Sequence, residues 1–551
     1  MNRGKRPADF PENSEGISFK KTKKKDKKKK KNKNTKNNPI QNPTQNPTQT
    51  SATSTTTTPS TTTTTTSLKR LRNPTSSPQP PFPPPPPSIP PPSPLNPYMT
   101  PSSPSFPLLH KTYYSKALVT PSTSSLNGLF LPSLSTLLSS SFLTPDVVLA
   151  GKSSSAGWSK TFVERTLVGE PGGTYKYLGL RIFANPWKEG DASGVRELEG
   201  RLRERVGVEY EEEFYEEEVM EAFKKIGEAN DSLIASSKAH LSTVSNLPPS
   251  HLGSSSYTLT LINLMSPTSL RPDLKTDSTT STQKSTSKTA VSWHTDSGLQ
   301  DYSTISVWHH HLPPSPTSFS WKIALRPMPI LDVSRKIPPL VYDLEPGGGV
   351  YYIFDDMNLR FEHAVLAGKE GERWSSTHRV VKEGGRLEDV LGECWRGVED
   401  CRKMWRVMVV LEFDWICQWE IQGGLEHRTN VYWRNKFVIL SAVLTHFERK
   451  RDSEIERLKK VGGKAAAEDW DRIIEYAEAR KVEVEKFNAR LSSKIYQNLP
   501  PESKPTFDGP LDEGGFCKKV RKWKKKYCGE KLTKKEKKGK GSNWEKMKSR
   551  F

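Results

Sequence analysis

The hydrophobic period changes along this 551-residue chain, and that change limits its fold more than any other feature. Between residues 257 and 382, apolar and polar side chains alternate in about eight short segments, many of them separated by glycine, proline or serine. Such alternation is typical of β-strands that bury one face. Eight strands at this spacing predict a barrel or a double-sheet jelly roll, the double-stranded β-helix.

Helical patterns flank these strands. Residues 195–240 are charged, with apolar residues at helical spacing, and predict a helical stretch on one side of the sheet. Around Pro171-Gly172-Gly173 the alternation predicts a hairpin. Further helices are predicted after residue 385, the last two forming a hairpin joined at Gly462-Gly463; they span 394–408, 413–449, 453–460 and 466–496. The predicted fold class is therefore α+β.

Composition separates two basic tails from the body of the chain. Residues 1–37 carry 15 Lys or Arg against four Asp or Glu, and residues 518–551 carry 16 against three. Since the whole chain has a net charge of +22, the body is close to neutral, which excludes a uniformly basic nucleic-acid-coating protein. We predict disordered tails over 1–96 and 517–551, a β-rich domain over 97–390 and a helical domain over 391–516.

The N-terminal tail suggests a location and partners. Lys5-Arg6 and the lysine run from Lys20 have the density of a bipartite nuclear import signal; the alternative is a polycation held on RNA by counterion release. The proline block over 78–94 is either a polyproline II linker or a ligand for SH3 or WW domains.

Other compositional features exclude several classes. No run of about 18 apolar residues predicts a membrane span, and the N-terminus has no apolar signal core. Five cysteines without a C-x-x-C pair indicate reduced thiols, not a disulfide framework or a zinc site. The Thr/Ser/Lys stretch over 266–288 predicts a polar surface loop.

Two histidines and a carboxylate are spaced as an iron site requires. His294 and Asp296 are separated by one residue, so their side chains point the same way in a strand. His363 lies 67 residues beyond Asp296, inside an apolar run. Such a facial triad leaves three positions of an octahedral Fe(II) for cosubstrate and O₂. The alternative is that both histidines are core residues.

A predicted anion site follows on the next strand. Arg373 and Ser375 offer a guanidinium and a hydroxyl, which suit the far carboxylate of a dicarboxylate bound to iron through its other end. Together with the triad they indicate a 2-oxoglutarate-dependent oxygenase, unless Arg373 only pairs with a surface acid. The rival metal tract, His309-His310-His311, alternates between two faces of a strand and is predicted to form a wetted edge.

Five segments carry a resemblance to a known family. In order, they are RTLVGEPGGTYKYLGLRIFANPW, LTLINLM, AVSWHTD, YYIFDDMNLRFEHAVLAG and RWSSTHRVV. They resemble the FTO family (fat mass and obesity-associated protein), a branch of the AlkB-type oxygenases that demethylates bases in nucleic acid. Weaker similarity extends from about residue 97 to about residue 505, roughly three-quarters of the chain.

The resemblance implies roles for residues at matching positions. It implies that Fe(II) is bound by His294, Asp296 and His363, and that O₂ and ascorbate serve as oxidant and reductant. It also assigns the residues that bind 2-oxoglutarate: Asn263, Tyr351, Arg373, Ser375 and Arg379. Two positions depart from the family. Ser297 replaces an acidic residue that contributes to base recognition, and the loop before Arg373 is one residue longer.

The resemblance also implies a base pocket. Its nucleotide-recognition lid would contain Arg165, Tyr175, Tyr177 and Leu178, and its opposite wall Val291 and Trp293 with His294. The implied activity is oxidative demethylation of N6-methyladenosine in single-stranded RNA, with formaldehyde and succinate released and the basic tails holding the strand. Single-stranded DNA is a further partner. The alternatives are repair of 1-methyladenine or 3-methylthymine/uracil, and a catalytically silent RNA-binding module.

Overall fold

A computed structural model describes most of the chain between residues 98 and 529. The described ranges are 98–146, 163–177, 180–244, 253–265, 291–311, 321–329, 331, 337–345, 347–366, 372–382, 384–421, 429–491 and 515–529. These residues belong to one compact unit, Thr66–Phe551. The predicted N-terminal tail, the polar insertion over 266–288 and the last 22 residues lie outside the described residues.

Fourteen strands are found among the described residues. They are β1 (Ala117–Pro121), β2 (Thr144–Asp146), β3 (Val163–Gly169), β4 (Thr174–Tyr177), β5 (Leu180–Phe183), β6 (Asn185–Pro186), β7 (Leu259–Met265), β8 (Val291–His294), β9 (Ile305–His311), β10 (Lys322–Pro327), β11 (Leu340–Asp343), β12 (Gly349–Ile353), β13 (Phe361–Leu366) and β14 (Arg373–Arg379). The last eight coincide closely with the eight strands predicted from alternation.

Two sheets enclose the core of the β-rich domain. The larger sheet has the order β1-β12-β9-β14-β7-β3-β2, with β6 added beside β3, and the smaller has the order β11-β10-β13-β8. Their inner faces share one buried cluster, in which Leu261 and Val307 of the larger sheet lie with Ile323 and Val365 of the smaller. This is the two-sheet arrangement that the period-two pattern predicts.

Eleven α-helices are found in the same part of the chain. They are α1 (Phe106–Leu109), α2 (Ser124–Ser139), α3 (Ser193–Val206), α4 (Glu217–Val244), α5 (Met357–Arg360), α6 (Leu387–Glu399), α7 (Cys401–Val410), α8 (Cys417–Ile421), α9 (Val431–Val461), α10 (Ala467–Leu491) and α11 (Gly515–Cys528). Helices α2 and α4 cover the outer face of the larger sheet, where Phe130 stacks on Trp308 with ring centroids 4.4 Å apart. The helical stretch predicted over 195–240 is therefore two helices, α3 and α4. No described helix combines the length and apolar character that a bilayer span requires.

The helical region follows the sheets, as predicted, with different helix limits. The boundary predicted at residue 390 falls inside α6, and the helix predicted over 413–449 is wrong. A π-helical turn, Leu411–Ile416, leads into the short α8, and α9 starts anew after Asn430, whose side chain accepts a hydrogen bond from the Trp433 amide. Helix α9 then continues without the break predicted near residue 450. The turn at Gly462 and Gly463 is confirmed, because both have positive φ.

The prediction that disorder begins at residue 517 is wrong for its first twelve residues. Helix α11 places Cys517 and Val520 in buried positions, and Lys524 donates to the Asp471 carboxylate at 2.8 Å. Three- and four-residue spacing of these positions gives α11 one face that packs on α10. The many lysines on the opposite face conceal this pattern when composition alone is considered.

The hairpin predicted around Pro171-Gly172-Gly173 is displaced along the chain. Strand β3, which precedes this turn, pairs with β7 in the larger sheet and not with β4. The hairpin is formed after the turn, by the antiparallel strands β4 and β5. Gly172 has φ +72°, and a Cβ atom there would lie 2.7 Å from the Cβ of Leu387. The glycine turn therefore redirects the chain from the sheet toward the helical region, and a separate hairpin forms after it.

Candidate metal centre and cosubstrate pocket

His294, Asp296 and His363 form a cluster between the two sheets. Strands β8 and β13 pair His294 directly with His363, and their ring centroids lie 4.2 Å apart. One ligand atom from each of the three residues lies within 4.8 Å of the other two. The structure therefore brings together all three residues predicted to bind a metal.

Asp296 is held by contacts that the spacing argument did not include. Strand β8 ends at His294, so Asp296 lies beyond the strand and alternation does not orient it. Asn358 of α5 clamps its backbone with two hydrogen bonds, at 2.9 Å to the N–H and 3.0 Å to the carbonyl oxygen. The Arg379 guanidinium donates to both carboxylate oxygens, from Nε at 2.9 Å and from Nη2 at 3.1 Å.

The electrostatics of the cluster suit a divalent cation. Burial favours the neutral form of Asp296, but Arg379 and the two imidazoles outweigh burial and hold the pKa of the carboxyl below its ordinary range. Burial and the neighbouring His294 lower the pKa of His363 to about 3, so its imidazole is neutral near pH 7. An ionised carboxylate and a neutral imidazole are the forms that bind metal. Two imidazoles and one carboxylate are the donor set of non-heme Fe(II) oxygenases.

The inner face of the larger sheet carries the residues predicted to bind 2-oxoglutarate. Ser375 of β14 lies opposite Asn263 of β7, and Arg373 and Arg379 share its face because they stand an even number of residues away. Tyr351 of β12 belongs to the same face and lies beside the Arg373 guanidinium. All five residues therefore line one side of the space between the sheets.

Arg373 provides the strongest indication of an anion site. Arg373 is 1% exposed, and no carboxylate among the described residues forms an ion pair with it. Its Nε and Nη2 atoms have no hydrogen-bond partner in that part of the chain, while Nη1 contacts the Met265 sulfur at 3.5 Å. A buried guanidinium without a counter-ion is costly, so the geometry fits an anionic ligand such as the far carboxylate of 2-oxoglutarate.

The residues predicted for the base pocket are only partly brought together. Arg165 lies opposite Asn263 in the larger sheet, and the Tyr175 ring centroid is 5.4 Å from the Arg379 guanidinium carbon. Val291 packs with the inner core cluster, and the side chain of Ser297 is exposed. Leu178 and the side chain of Tyr177 lie outside the described residues.

Trp293 does not join His294 on one wall, contrary to prediction. His294 pairs with His363 and Val291 with Val365, so three residue steps along β8 lie opposite two along β13. This β-bulge lets Val291 and His294 both face inward although an odd number of residue steps separates them. Trp293 packs against the outer cluster of the smaller sheet, with the Arg326 guanidinium 4.3 Å from its ring centroid. Its aromatic ring is therefore used in packing outside the site.

The prediction that His309-His310-His311 forms a wetted edge is also wrong. Strand β9 lies between β12 and β14, and the side chains of His309 and His311 are buried on its inner face. The tract resembled an edge because three consecutive polar residues are unusual in a buried strand. Asn358 was missed because an asparagine just after a strand gives no chemical signal by itself.

Comparison with known proteins agrees with this geometry. The family model for the FTO catalytic domain matches residues 104–382, and that for the FTO C-terminal domain matches residues 396–515. The chain belongs to the FTO family. Among its FTO relatives, the alpha-ketoglutarate-dependent dioxygenase FTO of Xenopus laevis is 24% identical over 389 residues, which cover 63% of this chain and 75% of the relative. The FTO catalytic-domain match contains all the predicted metal and cosubstrate residues.

Proposed function

We propose that this FTO-family protein is an Fe(II)- and 2-oxoglutarate-dependent dioxygenase that removes N-methyl groups from bases in single-stranded nucleic acid. Its preferred substrate is N6-methyladenosine in RNA. The observation that carries the proposal is the buried Arg373 guanidinium, which forms no ion pair among the described residues and lies on the same inner sheet face as Arg379, the residue that holds Asp296 of the metal cluster. The printed name of the Xenopus relative, an alpha-ketoglutarate-dependent dioxygenase, supports the cosubstrate.

The residues between the two sheets would have two roles, metal binding and cosubstrate binding. His294, Asp296 and His363 would hold the metal, and Arg379 keeps Asp296 ionised and oriented. Arg373, Ser375 and Tyr351 would bind the far carboxylate of the cosubstrate. Bound Fe(II), 2-oxoglutarate and O₂ would supply the oxidation of the methyl group, with succinate, CO₂ and formaldehyde as the products. Burial between the two sheets lowers the local dielectric constant, which strengthens each polar contact there.

The test uses the full chain with Fe(II), 2-oxoglutarate, ascorbate and an oligoribonucleotide that contains N6-methyladenosine. We expect mass spectrometry to record loss of one methyl group, together with equal amounts of formaldehyde and succinate. A double variant, His294→Ala with Asp296→Ala, should release neither. The control variant, His310→Ala, changes a residue on the outer face of β9 and should retain the activity. Methyl loss that survives the double variant would contradict the proposal.

A repair function on 1-methyladenine, 3-methylthymine or 3-methyluracil is the second candidate. It is favoured by Ser297, whose exposed side chain stands directly after Asp296 and offers no carboxylate to a base. A panel of methylated RNA and DNA oligonucleotides separates the two functions by the base on which formaldehyde release is fastest. Absence of succinate on every base, in metal-loaded protein, would instead favour a silent RNA-binding module.

We further infer that the basic regions bind single-stranded RNA and direct the protein to the nucleus. Helix α11 supports RNA binding, because it presents five exposed lysines to solvent: Lys518, Lys519, Lys522, Lys525 and Lys526. Removing residues 1–37 should shift a fluorescent fusion from nucleus to cytoplasm and abolish binding to import factors. The proline block over 78–94 should retain isolated SH3 or WW domains in a pull-down, and a Pro→Ala version should not.

A further inference from the structure

Two histidines of β9 lie beside the residues predicted to bind the far carboxylate of 2-oxoglutarate. Cross-strand pairing sets His309 opposite Ser375 and His311 opposite Arg373, on the face that points between the sheets. Directly opposed residues have Cβ atoms roughly 4.5–5.5 Å apart, so both imidazoles neighbour the predicted cosubstrate residues. His309 is 0% exposed and His311 is 3% exposed.

Three of the four ring nitrogens of this histidine pair have no hydrogen-bond partner among the described residues. Neither ring nitrogen of His309 makes a hydrogen bond within the described part of the chain, and the same holds for Nδ1 of His311. A buried polar atom left without a hydrogen bond costs about 1–3 kcal/mol. Because the unpartnered Nε and Nη2 atoms of Arg373 lie in the same place, this group of atoms is suited to a polar ligand with several acceptor atoms.

The position of the His309 ring is set by its surroundings. Across the ladder stands Gly349, where a Cβ atom would come within 2.7 Å of His309 Nε2. The Tyr351 ring lies beside it, with centroids 6.3 Å apart, and the His311 ring lies 6.4 Å away and nearly parallel. The missing side chain at Gly349 therefore leaves room for an imidazole that a larger neighbour would displace.

We propose that His309 is a cosubstrate-positioning residue that donates a hydrogen bond to the far carboxylate of 2-oxoglutarate, beside Arg373 and Ser375. This inference rests on the proposed function. His311 lies opposite Arg373 at the same end of the site. The hydrogen bond from His309 favours a 2-oxo acid with a second carboxylate over one without it.

The protonation state of His309 is compatible with this role. Burial, followed by the positive charge of Arg373, lowers its pKa well below the ordinary value. The ring is therefore neutral near pH 7, with one N–H donor and one acceptor nitrogen. A carboxylate accepts that N–H, and the guanidinium of Arg373 supplies the positive charge.

Calorimetry on full-length protein loaded with Zn(II), which is redox-inert, measures the contact without turnover. We expect His309→Leu to raise the Kd for 2-oxoglutarate about tenfold or more. The Kd for 2-oxobutyrate, which lacks the far carboxylate, should not change. His309→Gln, which keeps an N–H donor, should recover part of the affinity. The matched control is His310→Leu, one residue away on the opposite face, and it should bind both acids as the unaltered protein does.

The outcomes separate this inference from the proposed function. If the unaltered protein binds no 2-oxoglutarate, the proposed function fails. If it binds and His309→Leu binds both acids equally well, or loses affinity for both to the same extent, then His309 is only a packing residue and the inference is overturned. If His309→Leu does not fold, His309→Gln is compared with His310→Leu for binding of the same two acids. The inference is supported if His309→Gln binds 2-oxoglutarate more weakly than His310→Leu does while the two variants bind 2-oxobutyrate equally well. Equal affinities of these two variants would overturn it.

Discussion

Replacing Arg181 with methionine should loosen the β4–β5 hairpin while leaving the metal centre intact. Arg181 is a buried residue of β5 that connects the hairpin to the helical region. Its Nε donates to the Asp414 carbonyl at 2.9 Å, and its Nη1 donates to the Thr174 hydroxyl and to the Gly385 carbonyl, both at 2.8 Å. Its guanidinium carbon lies 4.4 Å from the ring centroid of Trp415.

The magnitude follows from these four contacts. Methionine fills the volume of the aliphatic stem but donates no hydrogen bond. Three hydrogen bonds at about 1 kcal/mol net each, and a cation–π contact of about 1 kcal/mol, give an expected loss of about 3–4 kcal/mol in the free energy of unfolding. Because the hairpin also carries Tyr175, which faces Arg379, we expect the KM for methylated RNA to rise. The Kd for 2-oxoglutarate should stay constant.

Urea denaturation of Arg181→Met is compared with that of Arg449→Met, which alters an exposed arginine of α9 and should change stability by no more than about 0.5 kcal/mol. Demethylation kinetics and 2-oxoglutarate binding are measured on the same preparations. Equal denaturation midpoints for the two variants would refute the energetic argument. A Kd for 2-oxoglutarate that rises as much as the KM for RNA would show that the hairpin does not act separately from the cosubstrate site.

Three further substitutions test the packing and its pH dependence. Trp433→Ala should cost about 3–5 kcal/mol in urea unfolding, because the indole is fully buried and donates to the Ala184 carbonyl at 2.9 Å; Trp433→Phe should cost much less. Val520→Asp places a carboxylate in the buried face of α11 and should expose this helix to limited proteolysis, whereas Lys519→Asp, on the exposed face, should not. Burial lowers the pKa of His378 to about 3, whereas in the unfolded state this histidine binds its proton at the ordinary pKa of about 6.5. The free energy of unfolding therefore falls as pH drops below about 6.5, by about 2 kcal/mol at pH 5. His378→Asn should remove this part of the difference between urea midpoints at pH 7 and pH 5, and an unchanged difference would contradict the assigned pKa.

The strands were predictable because alternation records which side chains are buried, and the sheets bury one face of each strand. The same logic failed where the chain departs from regular geometry. The bulge between Val291 and His294 cannot be recognised from residue types, so Trp293 was placed on the wrong wall. The break predicted between residues 408 and 413 likewise does not occur, because helical turns continue from α7 through the π-helical turn at Leu411–Ile416 into α8, and a separate helix, α9, starts at Val431.

The candidate site was predictable to the extent that its chemistry requires rare residue types at defined spacings. His294, Asp296, His363 and Arg373 have side chains that are costly to bury, so each one in a predicted strand was informative. The supporting residues were not visible in this way. Asn358 acts through backbone contacts, and His309 gains its meaning only from cross-strand register with Ser375.

Strand β14 is bonded along both edges, to β7 through seven consecutive residue pairs and to β9 through six. A slip by one residue would break two ladders together and turn Arg373 outward, so its register is resistant to changes in the chain that precedes it. An insertion before Arg373 should therefore leave the register of the strand, and with it the position of the guanidinium, unchanged.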